Sequence, residues 1–185
     1  MAIQQVHHAD TSSSKVLGQL RGKRVLITGT TGFLGKVVLE KLIRAVPDIG
    51  AIYLLIRGNK RHPDARSRFL EEIATSSVFD RLREADSEAF DAFLEERIHC
   101  VTGEVTEAGF GIGQEDYRKL ATELDAVINS AASVNFREEL DKALAINTLC
   151  LRNIAGLVDL NPKLAVLQVS TCYVNGMNSG QVTES

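Results

Sequence analysis

A glycine-rich turn, Thr28-Gly29-Thr30-Thr31-Gly32-Phe33-Leu34-Gly35, separates a short apolar run (Val25, Leu26, Ile27, Thr28) from an apolar-periodic stretch that begins at Phe33 and stops at Val46, before Pro47. The pattern predicts strand, tight turn and helix. Such a turn gathers backbone N–H groups and the positive end of a helix dipole at one spot, where a pyrophosphate can be received. Gly29 permits the sharp turn, Gly32 lets a phosphate approach without a Cβ in the way, and Gly35 lets the helix close on the sheet. The spacing is G-x-x-G-x-x-G rather than G-x-G-x-x-G, so its place in a βαβ frame matters more than the glycines alone.

That frame continues down the chain. Ala51 to Ile56 is a continuous apolar run, as for a parallel strand covered on both faces, and it ends in Arg57, Gly58 and Asn59. Residues 62 to 97 are charged with apolar positions at helical spacing, which predicts two helices. Ile98 to Val101 reads as a third strand, Tyr117 to Leu124 as a helix, Ala126 to Ile128 as a fourth strand, Leu140 to Leu160 as a long helix and Leu164 to Val169 as a fifth strand. Strands alternating with helices specify an α/β fold, a Rossmann-type doubly wound parallel sheet. We expect a flexible leader over residues 1–20 and one nucleotide-binding domain over 21–185, its sheet incomplete at the C-terminal end.

Charge and composition exclude other classes. A formal net charge of −3 without a dense Lys/Arg block argues against nucleic acid or an anionic membrane surface as partner. No apolar run approaches the roughly 20 residues that span a bilayer, and residues 1–15 carry no signal-peptide pattern, so a cytoplasmic protein is expected. Cys100, Cys150 and Cys172 are widely spaced and odd in number, which predicts reduced thiols rather than a disulfide framework. His7 and His8 lie in a polar leader with Ser12, Ser13 and Ser14, short of the ligand count a metal requires, so no metal site is predicted.

The end of the second strand discriminates between dinucleotides, because an acidic residue there takes a ribose 2′-OH whereas arginine accommodates a 2′-phosphate. The residue is Arg57, followed closely by Lys60 and Arg61, and a guanidinium meets phosphate with paired, charge-assisted hydrogen bonds. NADPH is therefore the predicted cofactor.

The segments TGTTGFLGK, YLLIRG, NSAASVNF and VSTCYVNG, in that order and at these separations, resemble the extended short-chain dehydrogenase/reductases and, within them, the fatty acyl-CoA reductases. The resemblance covers about residues 20 to 185 and implies NADPH-dependent reduction of long-chain acyl-CoA to aldehyde or alcohol. It implies that Gly29, Thr31, Gly32, Phe33, Leu34 and Gly35 form the phosphate loop, with Arg57 on the 2′-phosphate and Lys36 and Arg68 as further phosphate candidates. Gly103, Glu104 and Val105 match the segment that brackets adenine, although many relatives carry Asp at the position of Glu104. Ser130, Ala131 and Ala132, after Asn129, match the segment lining the nicotinamide ribose, and Asn147 matches an asparagine that supports the proton relay. After the fifth strand, Thr171 or Ser170 would offer a hydroxyl to a substrate carbonyl or its developing oxyanion.

The proton donor implied by the resemblance is a tyrosine followed four residues later by a lysine that lowers its pKa. Four residues after Tyr53, Tyr117 and Tyr173 stand Arg57, Ala121 and Met177, so none has this partner. We therefore expect an N-terminal piece of a reductase, inactive alone, whose incomplete sheet favours association with another chain. Two alternatives stay open at this point. One is a thioester reductase domain acting on carrier-tethered acyl groups; the other is a non-catalytic NADP-binding module. A thioester acyl-enzyme on Cys172 has chemical appeal, but no base is identified near it in sequence.

Overall fold

The computed structural model describes residues 15–180. His7, His8 and most of the expected leader lie outside the described residues, but Lys15–Gln19 forms a short helix, α1. Leu17 and Leu20 pack against the core.

Five parallel strands form one sheet: β1 Arg24–Thr28, β2 Ala51–Ile56, β3 Ile98–Thr102, β4 Ala126–Asn129 and β5 Ala165–Gln168. Their spatial order is β3-β2-β1-β4-β5. The chain builds outward from β1 through β2 to β3 and then returns to place β4 on the other side of β1. The C-terminal ends of β1 and β4 therefore flank a topological switch point, where ligands bind in open α/β sheets.

Alternation along the strands divides the core into two layers. Val25 and Ile27 of β1, with Ile52, Leu54 and Ile56 of β2, face a cluster containing Leu39, Leu42 and Ile43 of α2 (Phe33–Ala45). Leu26, Leu55 and Val127 face the opposite cluster with Leu120 and Ala121 of α6 (Gln114–Glu123) and Ile154 and Leu157 of α8 (Leu151–Leu160).

The segment between β2 and β3 departs from the two expected helices. It runs as α3 (Ala65–Arg68) continued by a π turn (Phe69–Ile73), then α4 (Asp80–Ala85) and α5 (Ser87–Glu96). Asp64 caps the N-terminus of α3 by accepting from Ser67 N, and Asp86 caps α5 by accepting from Ala89 N. These caps start new helices within one apolar-periodic stretch, which periodicity alone cannot detect.

The long helix predicted over Leu140–Leu160 is also compound: α7 (Leu140–Leu144), a π turn (Ala145–Leu149) and α8. At 21 residues it is long and apolar enough to cross a membrane by length and composition. Within it Cys150, Ile154 and Leu157 are buried in the second cluster, while Leu140, Leu144, Leu149, Leu151 and Leu160 are exposed. At the far edge, every residue of β5 is exposed, among them the apolar Val166 and Leu167.

Candidate functional site

The turn after β1 and the loop after β4 meet backbone to backbone. Gly29 has φ +76°, and a Cβ there would stand 2.7 Å from Ser130 O and Ala131 N. Gly35 allows α2 to close onto the turn, since its Cβ would lie 2.3 Å from Gly29 O. Thr28 joins the two loops: its Oγ1 donates to Asn129 Oδ1 at 2.5 Å and accepts the N–H groups of Ser130 and Ala131, each at 3.2 Å. Ser130 Oγ returns a bond to Thr28 O at 2.7 Å, and Asn129 Nδ2 donates to Gln168 Oε1 at 2.7 Å.

Between these loops and the ends of β2 and β3 lies an open cavity of about 180 Å³. Gly29, Thr31 and Gly32 form one wall, Ser130, Ala131 and Ala132 another, and Arg57, Glu104 and Val105 a third. Nine of the predicted residues thus line one space. Gly103, matched from sequence together with Glu104 and Val105, lines it as well, as do Leu55, Ile56 and Ile146, which were not singled out from sequence. Gly103 was legible as a close-approach position beside Glu104, and a Cβ there would meet Phe110 O at 2.5 Å. Ile146 has no local sequence signal.

The cavity fits a phosphate-bearing ligand. Gly32 is the N-cap of the 13-residue helix α2 and provides no side-chain hydrogen bond, so the first N–H groups of the helix lack the partner that a capping side chain would supply. Phe33 and Leu34 expose their side chains, which leaves their backbone N–H groups as their contribution to this end. Thr30 Oγ1, in the same turn, is buried without a hydrogen-bond partner among the described residues. At the other end, the exposed Arg57 guanidinium lies 3.4 Å from Glu104 Oε2.

The remaining predicted residues are placed differently. Lys36 Nζ reaches Glu72 O at 3.5 Å, while Arg68 donates to Arg57 O at 2.7 Å and pairs with Glu72 at 2.9 Å, so both phosphate candidates are engaged behind the cavity. Asn147 sits in the π turn and does not line the cavity. Its amide clasps the backbone of Ser133, Oδ1 accepting at 2.8 Å and Nδ2 donating at 3.1 Å, and so holds the loop after β4. Ser170 and Thr171 follow β5 at the C-terminal end of the sheet and do not line the cavity; Thr171 Oγ1 accepts Tyr173 N at 3.2 Å. The side chain of Cys172 lies outside the described residues.

Two tyrosines have structural partners. Tyr53 donates to Glu123 Oε2 at 2.9 Å, and Tyr117 donates to Asn153 O. Burial, then Glu123, raises the Tyr53 phenol, and burial, then Asp159, raises that of Tyr117. Both shifts oppose the lowered pKa that a proton-donating tyrosine requires. Tyr173 is exposed and meets Phe136 edge to face at 6.0 Å. The Arg68 guanidinium, then the Asn59 amide, hold the Glu72 carboxyl below the usual range.

Residues 27–185 match the family described as male sterility protein, an NAD-binding family. The chain is 38% identical over 170 residues to the chloroplastic fatty acyl-CoA reductase 2 of Arabidopsis thaliana, covering 91% of this chain and 27% of that protein. It is 37% identical over 154 residues to fatty acyl-CoA reductase 1 of Gallus gallus, covering 82% of this chain and 28% of that protein. The chain therefore spans under a third of the length of these relatives. Among solved structures, the reductase domain of a non-ribosomal peptide synthetase from Mycobacterium tuberculosis is similar with a TM-score of 0.64 and 28% identity, covering 92% of this chain and 39% of that one.

Proposed function

The chain belongs to the male sterility protein family, and from that premise we propose that it holds NADPH within a protein that reduces long-chain fatty acyl-CoA. The observation that carries the cofactor reading is one cavity at the switch point that joins the uncapped N-terminus of α2 to Arg57 at the end of β2. The N–H groups after Gly32 would receive the pyrophosphate, and the glycines of the turn keep side-chain carbon away from it. Arg57 would receive the 2′-phosphate, exchanging its long single ion-pair contact with Glu104 for shorter paired hydrogen bonds to phosphate oxygens. Val105 and the Glu104 backbone would bracket adenine, and the Ser130–Ala132 backbone would pass the nicotinamide ribose.

A bound nicotinamide supplies the hydride that reduction of a thioester to an aldehyde requires. Thr171 or Ser170 would donate a hydrogen bond to the substrate carbonyl oxygen, favouring charge as it develops there. Asn147, by holding Ser133, would keep the loop beneath the reacting centre in one shape. With no tyrosine four residues ahead of a lysine in these 185 residues, the chain by itself would bind cofactor without turning over acyl-CoA.

Likeness to a peptide synthetase reductase domain favours a second substrate reading, a thioester tethered to a carrier protein. Titrating the chain with NADPH and NADH by cofactor fluorescence tests the first part. Saturable NADPH binding that 2′,5′-ADP displaces is expected, and equal or tighter binding of NADH would overturn it. In a protein containing this chain together with a Tyr-x-x-x-Lys pair, NADPH oxidation on palmitoyl-CoA is expected. Oxidation seen only with a carrier-bound acyl group selects the second reading.

A further inference from the structure

The loop that carries Arg57 is tied down by one carboxylate beneath it. Glu72, in the π turn after α3, accepts from Asn59 Nδ2 on Oε1 and from Arg68 Nε on Oε2, each at 2.9 Å. Both partners pass the restraint on to the loop. Asn59 Oδ1 accepts the backbone N–H groups of Arg61 and His62 at 2.9 and 2.7 Å, and Asn59 N donates to His62 O at 2.8 Å. Arg68 Nη1 donates to the carbonyl of Arg57 itself at 2.7 Å.

The loop has little freedom to settle elsewhere. Gly58 packs so closely that a Cβ would lie 2.2 Å from Pro63 O. His62 is buried under the loop with Nε2 3.7 Å from Glu72 Oε1, inside the field of the carboxylate but beyond a hydrogen bond. Without a negative charge at Glu72, the Arg68 guanidinium, which donates to the Arg57 carbonyl, would lose its ion-pair partner among the described residues. Arg57, Lys60 and Arg61 already crowd the exposed side of the loop. Like charges so placed repel, and a loop that must be ordered on binding weakens affinity.

We infer that Glu72 is a positioning residue for cofactor choice: by anchoring Asn59 and Arg68 it presents Arg57 at the cavity rim before ligand arrives, and so sets the preference for a 2′-phosphorylated dinucleotide. The inference rests on the reading that Arg57 meets a 2′-phosphate. It assigns to Glu72 no contact with the cofactor.

The test compares the full chain with Glu72→Ala, Glu72→Gln and Arg57→Ala by fluorescence titration with NADPH and with NADH, alongside thermal melts. Glu72→Ala should weaken NADPH about tenfold while NADH changes by less than about twofold, the scale of losing charge-assisted bonds that order a loop. Glu72→Gln, which keeps an oxygen acceptor without the charge, should fall between. If Arg57→Ala abolishes the preference while both Glu72 variants retain it, the inference is overturned and the NADPH reading stands. Equal weakening of both dinucleotides would assign Glu72 a general structural role and also overturn it. Preference unchanged in Arg57→Ala would remove the NADPH reading and the inference together. Should Glu72→Ala not fold, Asn59→Ala cuts one of the same two tethers and is read by the same outcomes.

Discussion

Gly29 and Gly32 stand three residues apart in one turn, yet alanine at each should have opposite consequences. At Gly29 the backbone has φ +76°, where a Cβ strains the chain by about 1–2 kcal/mol. The added carbon would also meet three backbone atoms of Ser130 and Ala131 at 2.7 Å, none of which can swing aside as a side-chain tip could. Forcing these loops apart is overpacking, worth about 1–3 kcal/mol, for a total of about 2–5 kcal/mol. In a domain of this size Gly29→Ala should therefore lower Tm by at least about 5 °C. Gly32 has φ −83° and ψ 168°, an extended conformation open to any residue, and its Cβ would meet only Gly29 O, at 3.3 Å. Gly32→Ala should melt within about 2 °C of the parent, the range of a substitution without strain. Because Gly32 lines the cavity, that same variant should lose NADPH affinity about tenfold or more, by blocking close approach of phosphate to backbone. Differential scanning calorimetry and fluorescence titration read the two effects separately. A Gly29→Ala protein as stable as the parent, or a Gly32→Ala protein that binds NADPH unchanged, refutes the reasoning.

Two further outcomes follow from the hydrogen bonds around β1. Thr28→Val keeps the volume but strips partners from Asn129 Oδ1, Ser130 N and Ala131 N, so stability should fall by about 1–3 kcal/mol in urea unfolding, with Thr28→Ser remaining close to the parent. At Asp125, burial pushes the carboxyl up, but the Arg24 N–H and the Lys23 ammonium outweigh it and leave the pKa lowered. A lowered folded-state pKa contributes stability above the ordinary value near about pH 4 and loses it as pH falls through the folded value. The Tm gap between parent and Asp125→Asn should therefore be constant from about pH 5 to 8 and shrink below about pH 4, and a gap unchanged at low pH would exclude this origin.

The strand positions along the chain and the parallel doubly wound class were legible because both follow from short-range patterns. Val25–Thr28, the glycines after it and the apolar run Ala51–Ile56 place strand ends within a residue or two, while the adjacency of β1 and β4 that makes the switch point comes from the structure. The family expected from the quoted motifs is the one the relatives point to. What was not legible depends on long-range pairing or on single caps. Asp64 and Asp86 break one charged stretch into several helices. Thr28, read only as the last residue of a strand, organises a loop about a hundred residues away. Arg68 and Lys36, assigned to phosphate by resemblance, instead bond the carboxylate and the carbonyl of Glu72, which lies in a π turn that no local pattern announces.

These contacts share a physical logic. A ligand that carries its own charge and hydrogen-bond acceptors needs a wall of backbone N–H groups more than it needs side chains, and such a wall keeps its shape only if the loops behind it are immobilised. Here the immobilising groups are a hydroxyl at Thr28, an amide at Asn147 and a carboxylate at Glu72, none of them in the cavity lining and each bonded to backbone, directly or through Asn59 and Arg68. Substitutions at these three positions should therefore change what the cavity binds without removing any group that touches the ligand. The effect of Glu72, which braces the loop after β2, should be nearly additive with those of Thr28 and Asn147, whereas Thr28 and Asn147 hold Ser130–Ala131 and Ser133 of one loop after β4 and should couple.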